Sequence, residues 1–126
     1  MCLAITAEPS VRIPDEHILN AWDDNPDGAG YAFVQNGEVI VRKGYFEAEQ
    51  LLLNYALDFA ENPASRFMVH LRWASVGVVN EENCHPFVFK HEGKDVAMMH
   101  NGTIHPLKDD KEVSDTLRFN KHLESF

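Results

Sequence analysis

Cys2 is the residue of this sequence that could most directly act as a nucleophile. A small residue at position two normally allows removal of the initiator Met1, which would leave Cys2 at the amino terminus. A free cysteine thiol has a pKa of about 8.5 and a terminal amine one of roughly 7.7 to 8.0, so the amine could accept the proton of the thiol. The alternative is that Cys2 is an early apolar residue of the first strand. The Met-Cys dipeptide alone leaves both interpretations open.

A second candidate is the stretch HLRWASVG, residues 70–77, which places Arg72 at the end of an apolar strand. A buried guanidinium without a partner is unfavourable, and a bound carboxylate would offset that penalty through two parallel hydrogen bonds. An arginine at a strand end is also often a surface residue whose side chain lies beside a neighbour such as Trp73. The stretch therefore predicts either a carboxylate-binding arginine or an ordinary surface residue.

The pair Asn101-Gly102 follows the apolar segment 96–99 and has two interpretations. Asn-Gly is a favoured sequence for a two-residue hairpin turn, in which both residues take positive φ. The same pair also supplies two hydrogen-bond donors on consecutive residues, a side-chain amide and a backbone N–H. Two such donors can form an oxyanion hole that stabilises a tetrahedral intermediate.

His85, in the stretch NCHPF, belongs to a scattered group of nitrogen and sulfur donors that a metal ion could use. The other members of the group are His70, Cys84, His100 and His105. Their spacing disfavours a metal site, because the sequence has no C-x-x-C pair and none of these histidines are spaced as H-x-x-x-H on one helix face. The sequence therefore predicts no metal and no other cofactor.

These candidates must be positioned by strands that the sequence predicts on both sides of them. The predicted strands cover residues 2–7, 65–75, 85–90 and 94–100, and a hairpin over 28–44 turns at Asn36-Gly37. Helices are predicted over 14–23 and 46–60, and a third begins after Ser114, with Asp115 in its first turn. Since hairpins and helices are mixed and do not alternate strictly, the order predicts an α+β fold.

The helix at 46–60 is predicted to be amphipathic and to pack on an outer face of a two-layer β core. Its predicted buried face consists of Phe46, Leu52, Leu53, Ala56, Leu57 and Ala60. In the third helix the candidate apolar contacts are Leu117, Phe119 and Leu123.

The length and charge of the chain indicate its number of domains, its location and the partners that are disfavoured. The chain has 126 residues with 20 acidic and 11 basic side chains, a net charge of −9 with neutral histidines, which disfavours nucleic acid and anionic membranes as partners. No apolar run approaches the roughly 20 residues of a spanning helix, and the first residues lack the pattern of an export signal. The sequence predicts a single domain over residues 1–126, located in the cytoplasm, with Cys2 and Cys84 as free thiols.

Six motifs, in this order, resemble the class II glutamine amidotransferase domain of the N-terminal nucleophile hydrolases. They are Cys2, NPDGAG at 25–30, RWAS-G within 72–77, NCHPF at 83–87, HNGTI at 100–104 and SDT at 114–116. The sequence looks most similar to small stand-alone amidotransferase-like proteins of bacteria and their phages. The resemblance covers nearly the whole chain and implies an αββα sandwich, which at 126 residues is predicted to be minimal or truncated at its C-terminal end.

The resemblance implies that Cys2 is the nucleophile and that Asn101 and Gly102 form the oxyanion hole. Arg72 would bind the α-carboxylate of glutamine as a bidentate fork, and Asp115 would bind its α-ammonium group. The other substrate-binding residues that it implies are Trp73, Ser75, Gly77 and His85. Attack on the γ-amide would release ammonia and leave a γ-glutamyl thioester, which water hydrolyses to glutamate without a metal.

Two functions remain open at the level of the sequence. One is an enzyme that hydrolyses glutamine and supplies ammonia to an acceptor that the sequence does not identify. The other is a glutamine-binding regulatory protein that keeps the fold and the pocket but turns over poorly. Both need Arg72 and Asp115, whereas only the enzyme needs a free amine on Cys2. The predicted partners are glutamine and either an acceptor enzyme or a second copy of the chain.

Overall fold

The computed structural model describes residues 1–125 as an α+β fold with two antiparallel sheets. The strands are β1 (Leu3–Ala7), β2 (Ala29–Gln35), β3 (Glu38–Tyr45), β4 (Phe67–Leu71), β5 (Phe87–His91) and β6 (Lys94–Met98). The helices are α1 (Asp15–Asp24), α2 (Ala48–Glu61) and α3 (Asp115–Leu123). The first sheet has the strand order β1-β4-β2-β3, and the second is the hairpin β5-β6. The predicted α+β class is confirmed, and none of the helices in residues 1–125 is long and apolar enough to cross a membrane.

Strands β2 and β3 form the hairpin that the sequence predicts at Asn36-Gly37. These two residues have φ values of 52° and 78°, and Gln35 pairs with Glu38 across the turn. Positive φ at both central positions defines a type I′ turn, whose twist matches that of the flanking strands. The turn therefore fixes the register of β2, and with it the face on which each of its side chains lies.

One face of the four-stranded sheet packs against α1 and α2 through an aromatic core. Phe33 of β2 and Phe67 of β4 stack there with ring centroids 4.9 Å apart. Ile18 of α1 and Leu51 of α2 are completely buried in the same core. Because a close-packed core resists deformation, this layer holds the sheet rigid and fixes the ends of its strands.

The face that α2 buries differs from the predicted one. Leu51, Tyr55 and Asp58 are the buried residues of this helix, whereas Leu53 and Leu57 are 62% and 58% exposed. The predicted core-facing position is therefore wrong for four residues: Phe46, Leu53, Leu57 and Ala60. Leucines lie on two sides of α2, so the spacing of apolar residues does not show which side is buried. A prediction from apolar residues alone also cannot place an aspartate on the buried face.

Asp58 connects α2 to the sheet through hydrogen bonds to two strands. Its carboxylate accepts a hydrogen bond from the Tyr31 hydroxyl, and two more from Arg42, from Nε at 2.6 Å and from Nη2 at 3.2 Å. Burial, and then the hydrogen bond to Asp58, raises the pKa of Tyr31 far above its usual value. A buried carboxylate is stable only when it is paired in this way, so Asp58 determines which face of α2 turns inward.

Asp58→Ala is expected to lower the free energy of unfolding by about 2–4 kcal/mol. The substitution leaves the buried Tyr31 hydroxyl without its carboxylate acceptor and removes the fork to Arg42. Denaturant titration measures the change. The control is Asp95→Ala, which removes an exposed pair with Lys90 and should change stability by less than about 1 kcal/mol. Equal losses in the two variants would contradict this role of Asp58.

The hairpin β5-β6 lies against the other face of the sheet, and α3 covers the hairpin. Gly30 of β2 permits the close approach, because an added Cβ would lie 2.2 Å from the backbone oxygen of His85. On the outer side, Nδ2 of Asn120 in α3 donates to the Val88 carbonyl of β5 at 2.9 Å. The layers therefore run helices, sheet, hairpin and helix, in the order of the predicted αββα sandwich.

Candidate active site

Cys2 lines an open pocket of about 360 Å³ at one end of the four-stranded sheet. The register explains its position: β1 pairs antiparallel with β4, with Leu3 opposite Leu71, so the residue before β1 meets the residues after β4. The backbone N–H of Trp73 donates to Cys2 Sγ at 3.3 Å, and the Cys2 thiol donates to the Trp73 carbonyl at 3.4 Å. The residues that line the pocket are Met1, Cys2, Trp73, Ala74, Ser75, Asn101, Gly102 and Thr103.

Asn101 and Gly102 reach the pocket from the end of β6, which stops at Met98. Residues 99–125 contain no further strand, so the pair is not the turn of a hairpin and that interpretation is wrong. Gly102 has φ +143°, a backbone conformation that residues other than glycine rarely adopt. The pocket therefore contains both the candidate nucleophile and the two candidate oxyanion donors.

Trp73 and Ser75 line the same pocket, and Asp27 holds the backbone between them. The N–H of Ala74 donates to Asp27 Oδ2 at 2.9 Å, and the N–H of Asp27 donates to the Arg72 carbonyl at 2.9 Å. Asp27 belongs to the motif NPDGAG, but the motif alone indicates no role for it. The contact joins residues 47 positions apart, and only the pairing of β2 with β4 brings them together.

Arg72 lies just behind the pocket and is 2% exposed, so its interpretation as a surface residue is wrong. Its guanidinium donates to the carbonyls of Val76 and Val78 at 2.8 Å each, and to that of Gly77 at 3.3 Å. No carboxylate of residues 1–125 forms an ion pair with it. Burial lowers the pKa of Arg72, and this effect is opposed by Cys84, Cys2, Asp27 and Asp115 in that order. The loop that follows β4 is therefore folded around the guanidinium of Arg72, which has no carboxylate of the described residues in contact with it.

Asp115 and Gly77 lie near the start of α3 and do not line the pocket. The Asp115 carboxylate accepts hydrogen bonds from the backbone N–H groups of Ile104 and Thr116, the second at 2.8 Å. Gly77 has φ +82°, and an added Cβ would lie 2.6 Å from the nitrogen of Ser114. The side chain of Ser114 caps α3 by accepting from Leu117 N–H at 3.1 Å, as predicted. The roles of Asp115 and Gly77 in binding a substrate remain predictions.

Asn83 connects the loop after β4 to the start of α3, a role that its sequence context does not indicate. Its Nδ2 donates to the Val78 carbonyl at 3.0 Å and to the Glu112 carbonyl at 2.6 Å, and its Oδ1 accepts from Ser114 N–H at 2.7 Å. The residue is 1% exposed, so all three hydrogen bonds are shielded from water. Asn83 therefore fixes the two segments that carry Gly77 and Asp115.

His85, a predicted substrate contact, lies beneath the pocket lining, stacked on His70. The two ring centroids are 3.8 Å apart with an interplanar angle of 5°, and the residues are 4% and 0% exposed. Burial lowers the pKa of His70 to about 4, and burial together with the nearby His70 and Arg72 lowers the pKa of His85 far below its usual value. Both imidazoles are therefore neutral near pH 7. Direct contact of His85 with a substrate remains a prediction.

The second cysteine lies in a different environment from Cys2. Cys84 is completely buried, its thiol donates to the Asn80 carbonyl at 3.3 Å, and burial raises its pKa. Neither cysteine forms a disulfide. Among residues 1–125, no group of three His, Cys, Asp or Glu side chains is arranged to hold a metal ion.

Comparison with known proteins identifies the family of this fold. The family model of class-II glutamine amidotransferases matches residues 20–119, and the chain belongs to this family, which is of the N-terminal nucleophile hydrolase type. Cys2 precedes the matched range, whereas the loop after β4, Asn101-Gly102 and Asp115 lie within it.

Similar proteins come from archaea and bacteria. An uncharacterised protein of Methanocaldococcus jannaschii is 38% identical over 82 residues, which are 65% of this chain and 23% of that protein. Glutamine–fructose-6-phosphate aminotransferases of Chlamydia pneumoniae and Mesorhizobium japonicum are 36% and 39% identical over 83 and 80 residues. These regions cover 66% and 62% of this chain but only 13% and 12% of the two enzymes. The chain therefore spans less than a quarter of the length of each of these relatives.

Proposed function

We propose that this protein hydrolyses glutamine to glutamate and ammonia, with Cys2 as the nucleophile. The observation that carries the proposal is the meeting of Cys2 with Asn101 and Gly102 at one pocket. An attacking thiol and two donors for the resulting oxyanion are the parts that acyl transfer from an amide requires. Membership in the class-II glutamine amidotransferases supplies the substrate class.

The proposed reaction begins with removal of Met1, which lines the same pocket. The freed amine of Cys2 accepts the proton of its own thiol, and the thiolate attacks the carbonyl carbon of the glutamine γ-amide. The C–N bond then breaks, and the protonated amine returns its proton to the leaving nitrogen, so that ammonia departs. Water adds to the γ-glutamyl thioester and releases glutamate and the free thiol, which restores the starting state.

The oxyanion of each tetrahedral intermediate is stabilised by the amide of Asn101 and the backbone N–H of Gly102. Both residues precede the segment that Asp115 holds through Ile104 N–H, so the donors belong to a fixed loop and not to a free chain. Donors that are oriented before the reaction stabilise the developing charge without further reorganisation. Each donor of such a site is typically worth roughly 10² to 10³ in turnover.

Glutamine is a zwitterion, and two buried charges beside the pocket have the complementary signs. In this proposal the α-carboxylate of glutamine replaces the loop carbonyls as the hydrogen-bond acceptor of Arg72. The α-ammonium group binds near the carboxylate of Asp115. Trp73 and Ser75 supply contacts from the pocket wall, and Gly77 gives the loop after β4 its turn. The substrate would therefore replace hydrogen bonds in which one partner is charged with ion pairs in which both partners are charged.

The ammonia is proposed to pass to an acceptor outside this domain. The aminotransferases among the relatives are named for glutamine and fructose-6-phosphate, and this chain spans only a small part of each. An acceptor enzyme, or a second copy of the chain, is therefore the proposed partner. We place the reaction in the cytoplasm, where a reducing environment keeps Cys2 and Cys84 as thiols.

Met1 lines the pocket beside Cys2, which favours a second candidate, a glutamine-binding protein with little turnover. Arg72 and Asp115 do not distinguish the two candidates, because both candidates would bind glutamine through them. A protein that keeps Met1 would bind glutamine without the base that activates the thiol. The two candidates therefore differ in turnover and not in binding.

Glutamine is expected to raise the melting temperature of the protein and to be converted to equal amounts of glutamate and ammonia. At a hundred times its dissociation constant, a ligand adds about 2.7 kcal/mol to the free energy of unfolding, which a thermal melt detects. Glutamate, which lacks the γ-amide, should stabilise less. A shift without product would support the regulatory candidate, and the absence of both in folded, Met1-free protein would contradict the proposal.

A further inference from the structure

The backbone of His100, immediately before Asn101, is held by two buried side chains, one in β4 and one just before β5. The Nδ1 atom of His85 lies 3.1 Å from the His100 backbone nitrogen, and the Nε2 atom of His70 lies 3.0 Å from the His100 backbone oxygen. The His100 ring adds a third contact, from Nδ1 to the Thr116 hydroxyl of α3 at 3.2 Å. Both polar groups of one backbone residue are therefore fixed immediately before the candidate oxyanion donors.

The partners of the two imidazoles determine where each carries its proton. A backbone N–H can only donate, so Nδ1 of His85 accepts and the proton of this ring lies on Nε2. A carbonyl oxygen can only accept, so His70 carries its proton on Nε2 and leaves Nδ1 bare. That Nδ1 atom is buried and has no hydrogen-bond partner among the described residues. His70 therefore donates a hydrogen bond through Nε2, whereas His85 accepts one through Nδ1.

We infer that His70 and His85 are a pair of positioning residues that set the direction of the oxyanion donors at Asn101 and Gly102. Neither touches the pocket, and their effect passes through the backbone of His100. The inference rests on the proposed function, because it assigns a task to the pair in glutamine hydrolysis. The role that it assigns to His85 requires no contact with the substrate.

The stacking of the two imidazole rings explains why a pair of histidines, and not one, holds the backbone of His100. With centroids 3.8 Å apart and nearly parallel ring planes, each ring restricts the rotation of the other. The depressed pKa values of both groups keep the pair uncharged, so that the donor on His70 and the acceptor on His85 persist near pH 7. A displacement of only about 1 Å in a catalytic group can lower a rate about a hundredfold.

The test replaces each histidine with asparagine and with glutamine, because each of these amide side chains reproduces the position of only one ring nitrogen. Asparagine places a polar atom at the position of Nδ1, and glutamine places one at the position of Nε2. His85→Asn should therefore keep the acceptor and His85→Gln should lose it. For His70 the preference is reversed, because His70→Gln keeps the donor and His70→Asn loses it. A role in packing alone would give no such crossed preference, since the same two side chains are compared at both sites.

The expected result is a fall in kcat of about 10- to 100-fold for His85→Gln and His70→Asn, with KM changed less than about threefold. The matched variants His85→Asn and His70→Gln should stay within about fivefold of the parent kcat. His91→Asn and His91→Gln, at an exposed position of β5, serve as controls that should leave kcat unchanged. The same ranking of glutamine and asparagine at both sites would overturn the inference, and so would loss of folding in all four variants.

Hydrogen exchange of the His100 amide tests the positioning without any need for turnover. In His85→Gln this amide should exchange at least about tenfold faster than in the parent, and in His85→Asn it should stay protected. If the parent releases no glutamate but this contrast is seen, the proposed function fails while the positioning of the segment stands. If the parent is active and the contrast is absent in both exchange and kcat, the inference fails and the proposed function stands.

Discussion

Cys2→Ala is expected to abolish glutamate release while leaving the fold and glutamine binding intact. The substitution removes the thiol that lines the pocket with Asn101 and Gly102, and no thioester can form without it. Because Cys2 lies before β1 and outside the aromatic core, the melting temperature should change little. Glutamate is measured by a coupled assay, and glutamine binding by the thermal shift that the parent shows.

The matched control is Cys84→Ala, which removes the second thiol of the chain. Cys84 is buried, its thiol donates to a backbone carbonyl, and burial raises its pKa, so it is a poor source of thiolate. This variant should release glutamate at nearly the parental rate, with some loss of stability from the buried space it leaves. If Cys2→Ala retained the parental rate while Cys84→Ala lost it, Cys2 would not be the nucleophile.

Asn101→Ala is expected to lower kcat by roughly 10² to 10³, with little change in KM. The amide of Asn101 is proposed to donate only to the oxyanion, and a group that acts in the transition state alone affects kcat and not ground-state binding. Asn101 is exposed, so its loss should not unfold the protein. Steady-state kinetics on Met1-free protein measures the change.

The control for this prediction is Asn20→Ala, an exposed asparagine on α1 in the helical layer. It should leave both kinetic constants at parental values. A rise in KM of Asn101→Ala at unchanged kcat would mean that Asn101 binds the ground state of the substrate, and would contradict its assignment as an oxyanion donor.

The parts of the fold that depend on local chemistry could be predicted from the sequence. Asn36-Gly37 favours a type I′ turn, and the alternation of apolar and polar residues on both sides of it predicts the hairpin. Ser114 caps α3 because its hydroxyl satisfies the free N–H of Leu117 one turn later. The same reasoning alone could not distinguish Asn101-Gly102 from another hairpin turn, because the distinction depends on whether a later strand pairs with β6.

The parts that depend on long-range hydrogen bonds could not be predicted in this way. Asp58 selects the buried face of α2 through Tyr31 and Arg42, which lie on other elements. Asn83 and Asp27 hold the loop after β4 through contacts with residues distant in sequence. Side-chain amides and carboxylates that satisfy backbone groups carry no periodic signal, so their roles emerge only when the strands are paired.

The most direct test of Cys2 as the nucleophile is labelling of Met1-free protein with a glutamine-mimicking diazoketone. Such a reagent occupies the glutamine site and alkylates the thiolate that attacks it. Intact mass would report the loss of Met1 and the number of labels, and peptide mass mapping would identify the labelled cysteine. We expect one label, on Cys2, formed in step with the loss of glutamate release and prevented by excess glutamine. A Met1-free protein that releases glutamate but takes its label on Cys84, or takes none at Cys2, would contradict the mechanism.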